Sequence, residues 1–190
     1  MTTHSETLPR RGRTRAPRRS LRALRLIPAV IIAALAAALA VFHTAFRSAE
    51  ASLAGAVTDV FVERGSFSSG ETYFVWIGST HLLGVQVTLE CTALVILIPL
   101  LLIAAAMYAA TRISLLRTII AIVVMTVVVM LTNVLRLFLI AGASQWWGYD
   151  LGFPLMHTFV GSVIAIIGFA AGLAVLVVVM STKRRARTEV

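Results

Sequence analysis

Val87-Thr88-Leu89-Glu90-Cys91-Thr92-Ala93-Leu94 is the stretch at which this chain changes character, and it carries the only cysteine. Before it runs a mixed polar and apolar segment; after it, from Thr92 to Ala110, no charged residue occurs. A thiol at such a seam lies where water gives way to hydrocarbon. The other rare polar groups are therefore read by their position relative to that boundary.

Composition requires the hydrocarbon. Of the 190 residues 59% are hydrophobic and 13% charged, which is too little polar surface to cover a water-soluble domain. The formal charge of +9 raises nucleic acid as a partner. The basic residues, however, crowd at the two ends and leave the middle nearly bare, a pattern of topology signals rather than of a nucleic-acid surface. A single cysteine excludes an intramolecular disulfide and a Cys-rich zinc site, and no metal or cofactor is expected.

Four apolar runs come near the roughly 20 residues that a bilayer core requires, at about 26–46, 92–110, 118–141 and 157–180. Residues 1–25 form an Arg-rich, Pro-containing tail predicted to be disordered, and residues 181–190 form a second basic tail. Arg18-Arg19-Ser20-Leu21 resembles a twin-arginine signal and Ala38-Leu39-Ala40 a cleavage site. The apolar stretch nevertheless continues to Phe46 with three more spans beyond, so it is read as a transmembrane helix.

The loop 47–91 has internal order. From Ser48 the residues Leu53, Ala56, Val57, Val60 and Phe61 recur at helical spacing, with Glu50, Asp59 and Glu63 on other faces. This predicts an amphipathic helix on the membrane surface that ends at Gly65. Ser66 to Thr72 reads as a turn region, and the β-rich runs Tyr73 to Ile77 and Val85 to Leu89 as a small hairpin leading to Cys91. The predicted fold is thus an all-α membrane protein: one domain over 26–180, a bundle of about four transmembrane helices, with an extracytoplasmic amphipathic helix and a small β-hairpin before the second span.

Charge orients the bundle. The N-terminal arginines, the loop holding Arg112 and Arg117, and the cluster Lys183-Arg184-Arg185-Ala186-Arg187 all fall on one side of a four-span topology. The positive-inside rule makes that side the cytoplasm, with both termini there. The opposite face holds Glu50, Asp59, Glu63, Glu71 and Glu90, together with the interfacial aromatics Trp146, Trp147 and Tyr149.

Depth then gathers the rare polar groups. Cys91 opens the second span, His157 opens the fourth, and Arg136 lies near the end of the third, all at the outer side. An arginine at a helix centre costs about +2.5 to +3.5 kcal/mol on insertion scales, less near an end. Snorkelling to the outer headgroups is one reading of Arg136. The other is that Thr132, Asn133 and Arg136, within about a third of the helix circumference at 100° per residue, form a polar stripe facing the bundle interior. His157 shares a helix face with Gly161, Ala165, Gly168 and Gly172, small residues that mark close helix approach, so it is expected to point inward. A histidine bonded to a backbone carbonyl is the structural alternative, and His43 and His81 are rivals without a directional clue. A free cysteine is ordinarily packing; beside a cation and a base it becomes a nucleophile. The set then reads as a cysteine acyl-transfer site, with His157 moving the proton and Arg136 stabilising the oxyanion.

Glu90-Cys91-Thr92-Ala93 at the start of a span, Asn133-Val134-Leu135-Arg136 near the outer end of the next, and His157 opening a later one resemble the exosortase/archaeosortase family of membrane transpeptidases, over about residues 70–180. The resemblance implies that Cys91 is the nucleophile, completed by Arg136 and His157, with Asn133 and Glu90 in support. It implies as substrates secreted proteins bearing a C-terminal motif, a transmembrane helix and a basic end, which would be cleaved through a thioester and passed to a surface acceptor, a lipid or an amine. Membrane lipids surround the enzyme and nucleic acid has no part. Such family members typically carry Ser-Gly after the cysteine, where this chain has Thr92-Ala93. A non-catalytic membrane scaffold, using Arg136 and Asn133 as helix glue, is the alternative from another class; a thiol oxidoreductase lacks a resolving cysteine.

Overall fold

A computed structural model describes residues 18–61, 65–77 and 81–182. Helix α1 spans Arg18–Val41 and α2 His43–Asp59. Three strands follow, β1 at Ser66–Ser69, β2 at Thr72–Ile77 and β3 at His81–Gln86. Then come α3 at Leu94–Ala110, α4 at Leu115–Trp147, the short α5 at Tyr149–Pro154, a π-helical turn at Leu155–Val160, and α6 at Gly161–Ser181.

The helices follow the apolar runs, with displaced ends. Residues 18–25, expected to be disordered, are helical, because Arg, Leu and Ala are good helix formers and continue the pattern upstream; residues 1–17 and 183–190 of the two tails lie outside the described residues. The first apolar run is not one straight helix to Phe46. It breaks at Phe42, where the axis turns by 77° into α2. Helix α2 therefore begins before the expected Ser48 and ends at Asp59; Glu63 lies outside the described residues. Two helical stretches, Leu115–Trp147 and Asp150–Ser181, are long and apolar enough to cross a membrane, and a third if the bent pair is one span. Helix α3 is apolar but has 17 residues.

Apolar side chains face outward along these helices, among them Val123, Val127 and Leu131 on α4 and Val163, Ile166 and Val178 on α6. In water so continuous an apolar exterior would drive association; a lipid exterior satisfies it. Facing inward on α4 are Ala121, Met125, Val129, Asn133, Arg136 and Ile140, one or two per turn, so its polar groups share the buried stripe.

The segment expected as a turn region is a strand. Ser66–Ser69 pairs antiparallel with β2, Ser69 opposite Thr72, leaving Gly70-Glu71 as a two-residue loop. Gly70 has φ +57° and no other described residue of the loop has positive φ, the II′ pattern that suits a twisted hairpin. The hairpin is thus a three-stranded sheet in the order β1-β2-β3. Serines concealed β1, because the side of this short strand that packs on α2 carries Ser66 and Ser68, which bond Gly55 O and Ser52 Oγ, while the apolar Phe67 faces outward.

Two packed regions result. In the bundle, α1, α3, α4 and α6 interlock Ala36, Leu97, Leu100, Met125, Val129 and Leu176. In the head, α2 and the sheet close over the C-terminal half of α4, burying Ala51, Ala54, Tyr73, Val75, Val87, Leu137 and Cys91. Arg47 on α2 holds the sheet's exit by donating to Val87 O at 3.2 Å and pairing with Glu71 at 2.7 Å. Tyr73 pins the sheet to α4 by donating to Leu137 O at 2.7 Å. Burial pushes the Tyr73 phenol above its ordinary range, and the neighbouring Cys91 adds to this, so it stays a neutral donor.

Candidate active site

Cys91 stands where the head meets the bundle, in the turn between β3 and α3, and is 1% exposed. Its own N–H bonds Thr88 O at 3.1 Å, which fixes the turn. The Cys91 Sγ lies 2.9 Å from His157 Nε2. Arg136 reaches the same sulfur from α4, with Nη2 3.9 Å away, while its Nη1 donates to Glu90 O at 3.1 Å. Arg136 is 7% exposed. It points into the protein and not to lipid headgroups.

The π-helical turn aims the histidine. One extra residue in the turn Leu155–Val160 widens the helix where α5 passes into α6, a distortion found often at functional sites. Phe153 stacks on the His157 ring, centroids 5.1 Å apart, and limits its rotation. The two rival histidines are elsewhere: His43 bonds Ala40 O within its own turn at 3.2 Å, and His81 is exposed at the start of β3.

The two supporting residues differ. Asn133 is buried, and its Nδ2 donates to Glu50 Oε1 at 2.8 Å. Glu90 contributes its backbone carbonyl, not its carboxylate, which is exposed. The buried carboxylate of the site is Glu50, 1% exposed, which sequence reading left on an ordinary polar face of the amphipathic helix. It accepts from the Thr92 hydroxyl, from Ala93 N at 2.9 Å, and from Asn133. Glu50 thereby ties α2 to the start of α3 and to α4, one turn from Arg136. A buried carboxylate needs such partners. The signal available in the sequence was a glutamate flanked by the small residues Ala49, Ala51, Ala54 and Gly55.

Thr92 and Ala93, which stand where the resemblance implies Ser-Gly, are both buried and both bonded to Glu50. The bonds use a hydroxyl and a backbone N–H, groups that Ser-Gly would also provide. Among the described residues no group of three or more His, Cys, Asp or Glu gathers as a metal site. An apolar cavity of about 380 Å³ between the head and the C-terminal end of α4 is lined by Thr58, Phe61, Val75, Phe138, Trp146 and Met156; Cys91, Arg136 and His157 do not line it.

The chain is thus a helical membrane bundle capped by a folded head, with a cysteine, a histidine and an arginine converging at their seam. Residues 18–178 match the family described as transmembrane exosortase (Exosortase_EpsH), and the chain belongs to that family. The match begins upstream of the stretch in which the resemblance is legible, and so takes in α2 and Glu50. No curated protein and no solved structure matches the chain. Membership points to a membrane transpeptidase or sorting function.

Proposed function

We propose that this protein is a membrane-embedded cysteine transpeptidase that cleaves C-terminal sorting signals of secreted proteins at the extracytoplasmic face and transfers them to a surface acceptor. The observation that carries the reading is the 2.9 Å approach of His157 Nε2 to Cys91 Sγ with an Arg136 guanidinium nitrogen 3.9 Å from the same sulfur. A thiol so placed can pass its proton to the imidazole while a cation favours the thiolate.

The thiolate attacks the scissile carbonyl carbon, forming an S–C bond. Negative charge then develops on the carbonyl oxygen, and Arg136 is the group that stabilises it, since the nearby Ala93 N–H is already bonded to Glu50. The C–N bond breaks as His157 returns its proton to the leaving amine, and the C-terminal helix of the substrate departs. A nucleophilic acceptor, an amine or a lipid headgroup, then attacks the thioester, loses its proton to His157, and expels the thiolate.

Four crossings with both termini cytoplasmic fit this chemistry. Arg136 lies about 30 Å along α4 from Leu115, at 1.5 Å per residue, which is the thickness of the hydrocarbon core. With Arg112 and Arg117 at the inner boundary, Arg136 and Cys91 come to the outer one. The substrate's own transmembrane helix would lie beside the bundle with its scissile bond at that depth.

The test is to trap the acyl-enzyme. A candidate substrate carrying a sorting signal, incubated with the protein in nanodiscs, should form a hydroxylamine-sensitive adduct on Cys91 and release its C-terminal fragment. Cys91→Ala should insert normally and form neither. Processing that persists in Cys91→Ala would replace this reading with that of a non-catalytic scaffold.

A further inference from the structure

Gly161, the first residue of α6, lies directly against the Arg136 side chain. A Cβ placed on Gly161 would stand 2.8 Å from Arg136 Nε and 3.4 Å from Nη2, the first well inside van der Waals contact. Arg136 cannot retreat along its own length, because Nη1 is held by Glu90 O and Nη2 faces Cys91 Sγ. Its Nε is buried and has no hydrogen-bond partner among the described residues, and the space a side chain at 161 would fill is taken by the guanidinium. The same Cβ would also meet Met156 O at 2.8 Å, in the π-helical turn that carries His157.

We propose that Gly161 is a positioning residue of the site: the missing side chain is what allows Arg136 to lie within reach of the thiol. The inference rests on the reading of Cys91, His157 and Arg136 as the reacting group. A side chain at 161 pushes the guanidinium away from Cys91; its separate contact with Met156 O, which no change at 136 relieves, is the competing effect that the double variant tells apart. Elsewhere a Gly→Ala change in a helix is favourable. Gly168 supplies the matched control. It is buried on the same helix, and a Cβ there would crowd Thr132 Cγ2 at 2.9 Å, a side chain whose hydroxyl bonds Val128 O within its own helix.

The experiment is a double-mutant cycle read by alkylation of Cys91 with a small permeant reagent as a function of pH, in nanodiscs. Burial of the thiol slows the reaction at every pH, and the midpoint of the profile still reports how strongly the thiolate is favoured. Arg136→Ala should move that midpoint upward. Gly161→Ala should move it upward by a comparable amount and abolish most processing, while Gly168→Ala leaves it in place. In the Arg136→Ala background Gly161→Ala should add nothing, because the group it displaces is gone.

A midpoint for Gly161→Ala equal to that of Gly168→Ala, or shifts that sum in the double variant, would overturn the inference. Should Gly161→Ala fail to insert, removal of the guanidinium in the double variant should restore insertion; continued failure would place the conflict at Met156 O and also overturn it. If Arg136→Ala itself leaves the midpoint unchanged, the catalytic reading falls with it, whereas a shift in Arg136→Ala alone isolates the failure to Gly161.

Discussion

The bundle and the head bury comparable side chains by different means. In the bundle, Leu97, Leu100, Met125, Val129 and Leu176 meet small residues such as Ala36, Ala104, Ala121 and Gly172, and contact is a matter of shape. In the head and at its seam with the bundle, Glu50, Thr92, Asn133 and Arg136 are buried together with Tyr73 and Cys91, and most contacts have direction as well as distance. Shape tolerates substitution at a cost in stability, because neighbours relax around a void. A hydrogen-bonded cluster does not, since each lost partner leaves another buried group unsatisfied. Substitutions in the bundle should therefore lower stability while sparing chemistry, and those in the head should lower turnover as well as stability.

Arg136→Lys should produce the largest effect. Lysine retains the charge but has one nitrogen in place of the fork that holds Glu90 O and faces the sulfur. Loss of a preorganised oxyanion donor typically lowers turnover by about 10²- to 10³-fold, and single-turnover cleavage of the trapped substrate should show a drop of that order with insertion intact. Wild-type rates in Arg136→Lys would mean that charge alone suffices.

A smaller effect is expected at Glu50, where two variants sharpen the contrast. Glu50→Ala orphans the Asn133 amide, the Ala93 N–H and the Thr92 hydroxyl, at about 1–3 kcal/mol for each buried group left unpaired. Both thermal stability in detergent and turnover should fall. Glu50→Gln keeps an acceptor oxygen in the same place and should recover most of both. Equal damage in the two variants would show that the negative charge of Glu50, rather than its bonding, supports the site.

The smallest effect on chemistry belongs to Leu100→Ala in the bundle. Leu100 is fully buried and lies against Gly172, and its truncation should cost about 2–5 kcal/mol of stability while turnover per folded molecule is unchanged. A turnover loss matching that of Glu50→Ala would dissolve the distinction between the two regions.

The apolar runs and the common level of Cys91, Arg136 and His157 along the helices were legible in the sequence because they depend on one coordinate. Chain position converts directly into height along a helix, at about 1.5 Å per residue, and a long uncharged run has few alternatives. The strip of α4 bearing Asn133 and Arg136 was legible for the same reason, since its angular spread follows from the helical period. Rotation and neighbourhood come instead from how the elements pack. Nothing local marks Glu50 as the partner of Asn133, 83 residues away, because the side chain looks like any polar member of an amphipathic helix until the sheet closes over it. The break at Phe42, the strand hidden in Ser66–Ser69 and the π-helical turn under His157 are likewise outcomes of packing. So is the contact of Arg136 with Gly161, where a glycine legible as one of a row of small residues is set apart by the guanidinium that lies against it.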